Sequence, residues 1–209
     1  MKIAVIASNG RVGKLVVKEA LERGFEVTGI GKGKNESLVK EYIEKDALDV
    51  TKQDLKDFDV VVDAVGGWTP ETIHHITDVM KHLADILSNT KTRLLVVGGA
   101  GSLFVNKEHT ITVDMGVDFP DSWKPVSKAH GEGLAYLRDS KHLNWTYLSP
   151  ACNFVADGEE TRMYTLGKEE LILNSQGESS ISYADYAMAL VDEIENAAHI
   201  QERISVVSK

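Results

Sequence analysis

The chain has 209 residues, 43 % of them apolar and 26 % charged, the balance of a globular protein and not of a disordered, fibrous or membrane-embedded one. A formal charge of −9 opposes binding to phosphate backbones or anionic lipid, and no segment approaches the roughly 20 apolar residues that a membrane span needs. The lone cysteine, Cys152, closes no internal disulfide, so nothing calls for an oxidising compartment. We therefore expect one cytoplasmic domain over residues 1–209, monomeric or homodimeric, with a small molecule as partner and neither nucleic acid nor membrane.

Lys2-Ile-Ala-Val-Ile-Ala7 is short, almost wholly apolar and β-branched, as a strand buried on both sheet faces should be. From Arg11 to Arg23 the apolar positions Val12, Leu15, Val16, Ala20 and Leu21 recur at helical spacing, and Gly24 supplies a left-handed stop. Residues 25–30 predict a second strand, 42–46 a weak third and 60–65 a strong fourth after a short polar helix around Asp54, giving the order β-α-β-α-β-α-β. A long helix over 70–87 buries Ile73, Ile76, Met80, Leu83 and Leu87, and a fifth strand follows at 93–97. A further helix spans 122–141 despite Gly131 and Gly133, and a sixth strand at 145–148 runs into Ser149-Pro150, where the parallel core is expected to end. The small C-terminal extension then predicts a polar hairpin over 162–173, a helix over 183–194 and a closing strand over 204–207. Strands alternating with helices imply a Rossmann-type, doubly wound, mainly parallel sheet with helices on both faces.

The first strand meets the first helix through Ala7-Ser8-Asn9-Gly10-Arg11-Val12-Gly13, an A-x-x-G-x-x-G turn in which alanine replaces the first glycine. Gly10 lets backbone approach a pyrophosphate held by the helix N-terminus, and Gly13 lets the helix lie close to the sheet. Its place between strand and helix is what raises this turn above a chance G-x-x-G, so all of residues 7–13 are candidates for dinucleotide binding. No carboxylate ends the second strand to hold a ribose 2′-hydroxyl. Gly29-Ile-Gly-Lys-Gly-Lys34 offers Lys32 and Lys34 instead, which favours a 2′-phosphate and so NADP(H) over NAD(H), although loop lysines are commonly just solvated. Asp46 either accepts from the adenine amine or caps a turn, with Asp49 the better cap; Ala64, Val65 and Gly66 lie where ligands gather at the ends of open sheets.

The chain resembles the atypical short-chain dehydrogenase/reductases, and within them the NADH-flavin reductase branch related to biliverdin-IXβ reductase and to NAD(P)-binding regulators. Three stretches carry this: Lys2 to Gly13, Arg93-Leu-Leu-Val-Val-Gly-Gly-Ala-Gly-Ser-Leu103, and Leu148-Ser-Pro-Ala151 through Ile181-Ser-Tyr-Ala-Asp-Tyr-Ala187. The resemblance implies a dinucleotide on Gly10 and Gly13, its 2′-phosphate near Lys32, and nicotinamide between Gly99 to Ser102 and Pro150-Ala151, with residues 151–209 on the substrate side. Gly99, Ala100 and Gly101 would open a cleft and present backbone N–H groups, and Ser102 would add a hydroxyl donor.

No Tyr-x-x-x-Lys pair is present, since Lys141 follows Tyr136 one residue too late to share its helix face. Reduction of a flavin, FMN or FAD acting as substrate, needs only stacking and orientation from the protein. His130, on the helix bordering the cleft, is a candidate proton donor, while Phe154, Arg162 and Tyr164 either flank the substrate or serve an edge strand. His74 and His75 point about 100° apart and do not suit a shared metal, Cys152 reads as a small filler, and Ser182 with Asp185 as a capping box. The leading expectation is an NAD(P)H-dependent reductase acting on a flavin or similar flat conjugated acceptor. Its rival is an NADP(H)-sensing module without turnover that acts through a protein partner, and a sugar epimerase is a weaker third.

Overall fold

The computed structural model describes residues 1–209. Its strands are β1 (Lys2–Ile6), β2 (Glu26–Gly31), β3 (Glu41–Glu44), β4 (Val60–Asp63), β5 (Arg93–Val97), β6 (Asn144–Ser149), β7 (Asn153–Val155), β8 (Tyr164–Gly167), β9 (Ser180–Ser182) and β10 (Glu202–Ser208). Between them lie α1 (Arg11–Glu22), α2 (Lys52–Leu55), α3 (His74–Leu87), α4 (Lys124–Asp139) and α5 (Tyr183–Asn196). Eight strands form one sheet in the order β3-β2-β1-β4-β5-β6-β10-β8, parallel throughout except for β8 against β10. The order reverses between β1 and β4, and this is where an open α/β sheet leaves a crevice outside its carboxyl ends.

Alternation along β1 shows why two helical layers are needed. Ile3 and Val5 join Val16, Val17 and Ala20 of α1 and Leu190 and Ile194 of α5 on one face. Ala4 and Ile6 join Ile76, Met80 and Leu83 of α3 and Leu134 and Leu137 of α4 on the other. Each fully buried leucine or isoleucine contributes roughly 1.5–3 kcal/mol by leaving water, so neither layer can be stripped without exposing a core.

The expected helix between β2 and β3 is absent: residues 32–40 contain no helix. The segment has no apolar period, and side chains fasten it instead. The Asn9 amide donates to Lys34 O (2.9 Å) and to the Tyr42 hydroxyl (3.0 Å), its carbonyl accepts from Glu36 N (2.8 Å), and Asn35 donates to Val39 O (2.9 Å). The parallel core also runs past Pro150, because α5 returns the chain so that β10 pairs parallel with β6. The polar hairpin over 162–173 is likewise not formed. Only β8 is a strand there, and the chain beyond it is held by Phe104, which donates to Glu169 O (3.0 Å) and accepts from Leu171 N (2.8 Å).

Ser182 caps α5 by accepting from Asp185 N (3.0 Å). Asp185 does not complete the box. Its buried carboxylate instead takes Thr161 N (3.0 Å), Thr161 Oγ1 (2.7 Å) and Arg162 N (2.8 Å), tying the 161–162 loop to the helix.

Helix α1 comes down tightly on the turn before it at Gly13, where an added Cβ would stand 2.3 Å from Ala7 O and 3.1 Å from Ser8 Cα. Both are backbone atoms, so α1 itself must move. Gly13→Ala should lower the urea midpoint by the equivalent of about 1–3 kcal/mol, the usual cost of overpacking, with the denaturant slope unchanged.

Candidate functional site: a dinucleotide cradle at the carboxyl edge

All seven parallel strands end on one edge, which gathers the turn after β1 and the loops after β2, β4, β5 and β6. Helix α1 opens there with Gly10 as an extended N-cap (φ −70°, ψ 164°) and no side-chain cap. The N–H groups of Arg11, Val12 and Gly13 find no acceptor in the protein, which leaves an uncapped helix N-terminus suited to a phosphate. Ala7 stands at φ +58° in the place of the absent first glycine, so the turn keeps its left-handed geometry at a cost of about 1 kcal/mol. The alanine therefore alters the cost of the turn and not its shape.

The side chains of the turn divide. Arg11 is exposed and in no ion pair, and Val12 packs on the core beneath. Asn9 is taken up by the loop after β2, as above. Ser8 turns inward: its hydroxyl is buried without a partner, against Gly29, where a Cβ would lie 2.5 Å from it. A ligand at the edge can therefore use the backbone at Ser8 and Asn9 but finds their side chains committed elsewhere.

Lys32 pairs with Asp46 at 2.6 Å, and this bond, with a second from Leu48 N (3.0 Å), holds the Asp46 carboxyl below its ordinary range. Asp46, not Asp49, is the cap of the short turn at 47–49. Lys34 and Arg11 carry no ion partner. Ala64 and Val65 are half-buried and Gly66 faces open space, whereas a Cβ on Gly67 would strike Thr72 O at 2.2 Å. Gly66 thus leaves room for a ligand, while Gly67 serves the turn into α3.

The run after β5 is shaped by what lies behind it. A Cβ at Gly98 would lie 2.3 Å from the Tyr147 ring, at Gly99 2.9 Å from the His130 ring, and at Gly101 1.9 Å from Ser127 Oγ. Each glycine makes way for one side chain. Tyr147 Oη accepts from Gly99 N (2.9 Å) and lies 3.3 Å from His130 Nδ1. Ser127 donates to Asp114 (2.6 Å), which also takes Thr112 Oγ1 (2.5 Å), while Asp114 N bonds Gly101 O (2.9 Å) and so folds the following loop onto the run. The Ser102 hydroxyl accepts from Arg203 (3.1 Å), a fully buried guanidinium on β10 that also pairs with Glu169. Ser102 keeps its own proton to donate. Pro150 and Ala151 are buried at the adjoining end of β6, and Gly98 N bonds Leu148 O (2.9 Å) to hold the two strand ends side by side.

Two groups on this edge, the half-buried His130 and the buried Asp63, have displaced ionisation. Dense packing pushes the His130 imidazole down to about 4, so it is neutral at physiological pH. Burial raises Asp63, at the end of β4, to about 7 against the opposing effect of one bond from Val65 N (3.0 Å). Sequence pattern alone does not single out Tyr147, Ser127, Asp114, Arg203 or Asp63. The one available signal was that a glycine run packed from behind requires bulky partners.

Arg162 and Tyr164 are not directed at this edge. Arg162, at φ +56°, pairs with Glu19 of α1 (2.9 Å) and Glu160 (2.8 Å), and Tyr164 donates to Asp192 of α5 (2.6 Å). Arg23 bridges Glu19 (2.8 Å) and Asp192 (2.6 Å) between them, so both residues belong to a network that clamps α1 to α5. Phe154 packs against Tyr183 and Tyr186, with ring centroids 4.1 and 4.8 Å apart. A crevice of about 740 Å³ lies at the opposite edge, where Arg93 caps the end of α5 through Ile194 O and Glu193 O; it shares no residue with the glycine turn.

A glycine turn and an uncapped helix N-terminus at the switch point of a parallel sheet define a dinucleotide-binding protein of the Rossmann class. The chain belongs to the NAD(P)H-binding family, whose model matches residues 8–197. It is 43 % identical over 214 residues to the uncharacterized protein YwnB of Bacillus subtilis (strain 168), covering 100 % of this chain and 99 % of that one. SP1627 of Streptococcus pneumoniae TIGR4, provisionally described as an NADH-flavin reductase, is 46 % identical with a TM-score of 0.97 over 100 % of both chains. A protein of Bacteroides thetaiotaomicron provisionally described as an epimerase is 35 % identical with a TM-score of 0.82, covering 99 % of this chain and 96 % of that one.

Asp63 binds its proton more tightly folded than unfolded, so its contribution to stability is full below about pH 4 and is lost as pH rises through about 7. His130 acts in the opposite sense, favouring the fold as pH rises through the window between about 4 and 6.5. Comparison with Asp63→Asn isolates the first effect: between pH 5 and 8 the variant should gain stability relative to wild type by an amount on the order of a few kcal/mol, read from urea midpoints. A constant difference across that range would show that Asp63 does not titrate there.

Proposed function

We propose that the protein is an NAD(P)H-dependent reductase that passes hydride to a flavin or a similar flat conjugated acceptor, as one domain whose residues 151–209 form the substrate side. What carries this reading is the meeting, on one sheet edge, of an uncapped α1 N-terminus with a neutral imidazole beside the glycine run after β5. The name borne by the Streptococcus pneumoniae relative agrees with it.

In this reading Gly10 and the N–H groups of Arg11, Val12 and Gly13 bind the pyrophosphate, Gly66 leaves space beside it, and Arg11, Lys32 and Lys34 supply cations for a 2′-phosphate. A 2′-phosphate would compete with Asp46 for Lys32. Bound reduced nicotinamide supplies the hydride, and completing the two-electron reduction of the acceptor takes up one proton. Gly99 and Gly101 keep side chains out of the space between the ends of β5 and β6. Ser102, whose oxygen is fixed by Arg203, directs its O–H to the acceptor, and His130 offers an N–H from a ring that stays uncharged. Neither group needs the lowered tyrosine pKa that a Tyr-x-x-x-Lys pair provides, and Tyr136, which such a pair would involve, is bonded to Asp85 on α3 (2.5 Å). Phe154 supplies an apolar wall; Arg162 and Tyr164, held in the α1–α5 network, act by fixing the segment that carries it.

The test is loss of nicotinamide absorbance with NADPH and with NADH, each with and without FMN, against a protein-free control. Flavin-dependent oxidation is expected, faster with NADPH, with the KM for NADPH raised about tenfold or more in Lys32→Glu through loss of a charge-assisted bond. His130→Ala should lower kcat by at least about tenfold. Binding of either nucleotide without turnover of any flat acceptor would overturn the proposal in favour of a sensing role.

A further inference from the structure

We infer that Tyr147 is a positioning residue that fixes the tautomer of His130, holding the ring proton on Nε2 so that the imidazole presents an N–H to the site. The function assigned to that N–H rests on the reductase reading above; the placement of the proton does not. The argument is a count of donors and acceptors in a closed space. Tyr147 is wholly buried, and its oxygen accepts from Gly99 N at 2.9 Å. A backbone N–H can only donate, so the Tyr147 hydroxyl proton must go elsewhere, and the one other polar atom within reach is His130 Nδ1 at 3.3 Å. Were Nδ1 to carry a proton, two donors would converge on the tyrosine oxygen and its own proton would be left buried without an acceptor, which costs more than the bond gains. The arrangement with every group satisfied is Gly99 N–H to Tyr147 O, Tyr147 O–H to His130 Nδ1, and the remaining proton on Nε2.

Nε2 bonds to no protein group and is not among the buried atoms lacking a partner, so it is not sealed from a ligand or solvent. The neutral state of the ring excludes a second proton. The rest of the local sequence serves this chain of bonds. Gly98 admits the Tyr147 ring at a point where a Cβ would lie 2.3 Å away, and Gly99 does the same for His130 at 2.9 Å. Register with Val96 sets Tyr147 on β6 below the start of the run. The glycines are therefore required for the relay to assemble as well as for the opening in front of it.

Long-range proton–nitrogen correlation spectra of the His130 ring in the wild-type protein, without ligand at pH 7, test the proton's place directly. One tautomer is expected, with Nε2 protonated and Nδ1 bare; Nδ1 protonated, or an even mixture, would overturn the inference. Tyr147→Phe keeps the ring that fills the space behind Gly98 and removes only the hydroxyl. It should release His130 into a tautomer mixture and, where flavin-dependent turnover exists, lower kcat by about fivefold, the worth of one ordinary hydrogen bond, with the KM for the nucleotide unchanged. A variant that folds and retains the single Nε2–H tautomer would overturn it. If the wild-type protein shows the Nε2–H tautomer but oxidises no nucleotide with any acceptor, the reductase reading falls and the positioning role stands.

Discussion

The approach of α1 to the turn that precedes it governs the rest of this edge. With a hydrogen at Gly13 the helix comes down until its first turn lies on Ala7 O, and two consequences follow together. The sheet face closes over Val16, Val17 and Ala20, and the free N–H groups of the helix are brought to the switch point between β1 and β4. A side chain at that point would lift the helix and lose both, so packing and binding share one constraint. The left-handed Ala7 belongs to the same geometry: its strain persists because the strand before it and the helix after it are both fixed.

A similar economy operates after β5. A flexible glycine loop at a strand end would be mobile and would expose backbone. Here the small residues instead let Tyr147, His130 and Ser127 rise from behind, and these side chains satisfy the backbone or brace the loop that follows. Arg203, in register with Tyr147 on the neighbouring strand, holds Ser102, and Asp114 ties the following loop to Gly101. The outer surface of the run stays bare because its inner surface is crowded. Rigidity of this kind is what a site needs when it works by orientation.

Much of this was legible in the residues. Strand β5 and helices α1, α3 and α5 follow from strong apolar periods, and the glycine turn gave its position away by lying between the first strand and the first helix. What could not be read depended on partners distant in sequence. Nothing in residues 32–40 says that Asn9 will replace a helix as their support, and nothing in Ser149-Pro150 says that a later strand will return to extend the sheet. For Arg162 and Tyr164 the residues leave open a place beside the substrate or on an edge strand; Tyr164 begins the edge strand β8, and Glu19, Arg23 and Asp192, all on other elements, engage the two side chains. Asp46 shows the limit most plainly: both of its anticipated roles involve its carboxylate, and the structure gives that carboxylate to a cap and to Lys32 at once.

The charge pattern reconciles an acidic chain with an anionic cofactor. A formal charge of −9 acts from a distance, and salt screens it beyond about 8 Å at physiological ionic strength. Within that range the local groups decide. On the α1–α5 side and behind the glycine run, Arg23, Arg162 and Arg203 are tied to carboxylates and offer little to a ligand. At the turn, Arg11 and Lys34 are unpaired, and the uncapped N–H groups add the positive end of the helix. Lys32 stands between these cases, because a phosphate gains it only by displacing Asp46. In the proposed reading, the part of Lys32 in any preference between the two nicotinamide cofactors is the difference between two ion pairs at one lysine, a smaller quantity than the count of lysines in the loop would suggest.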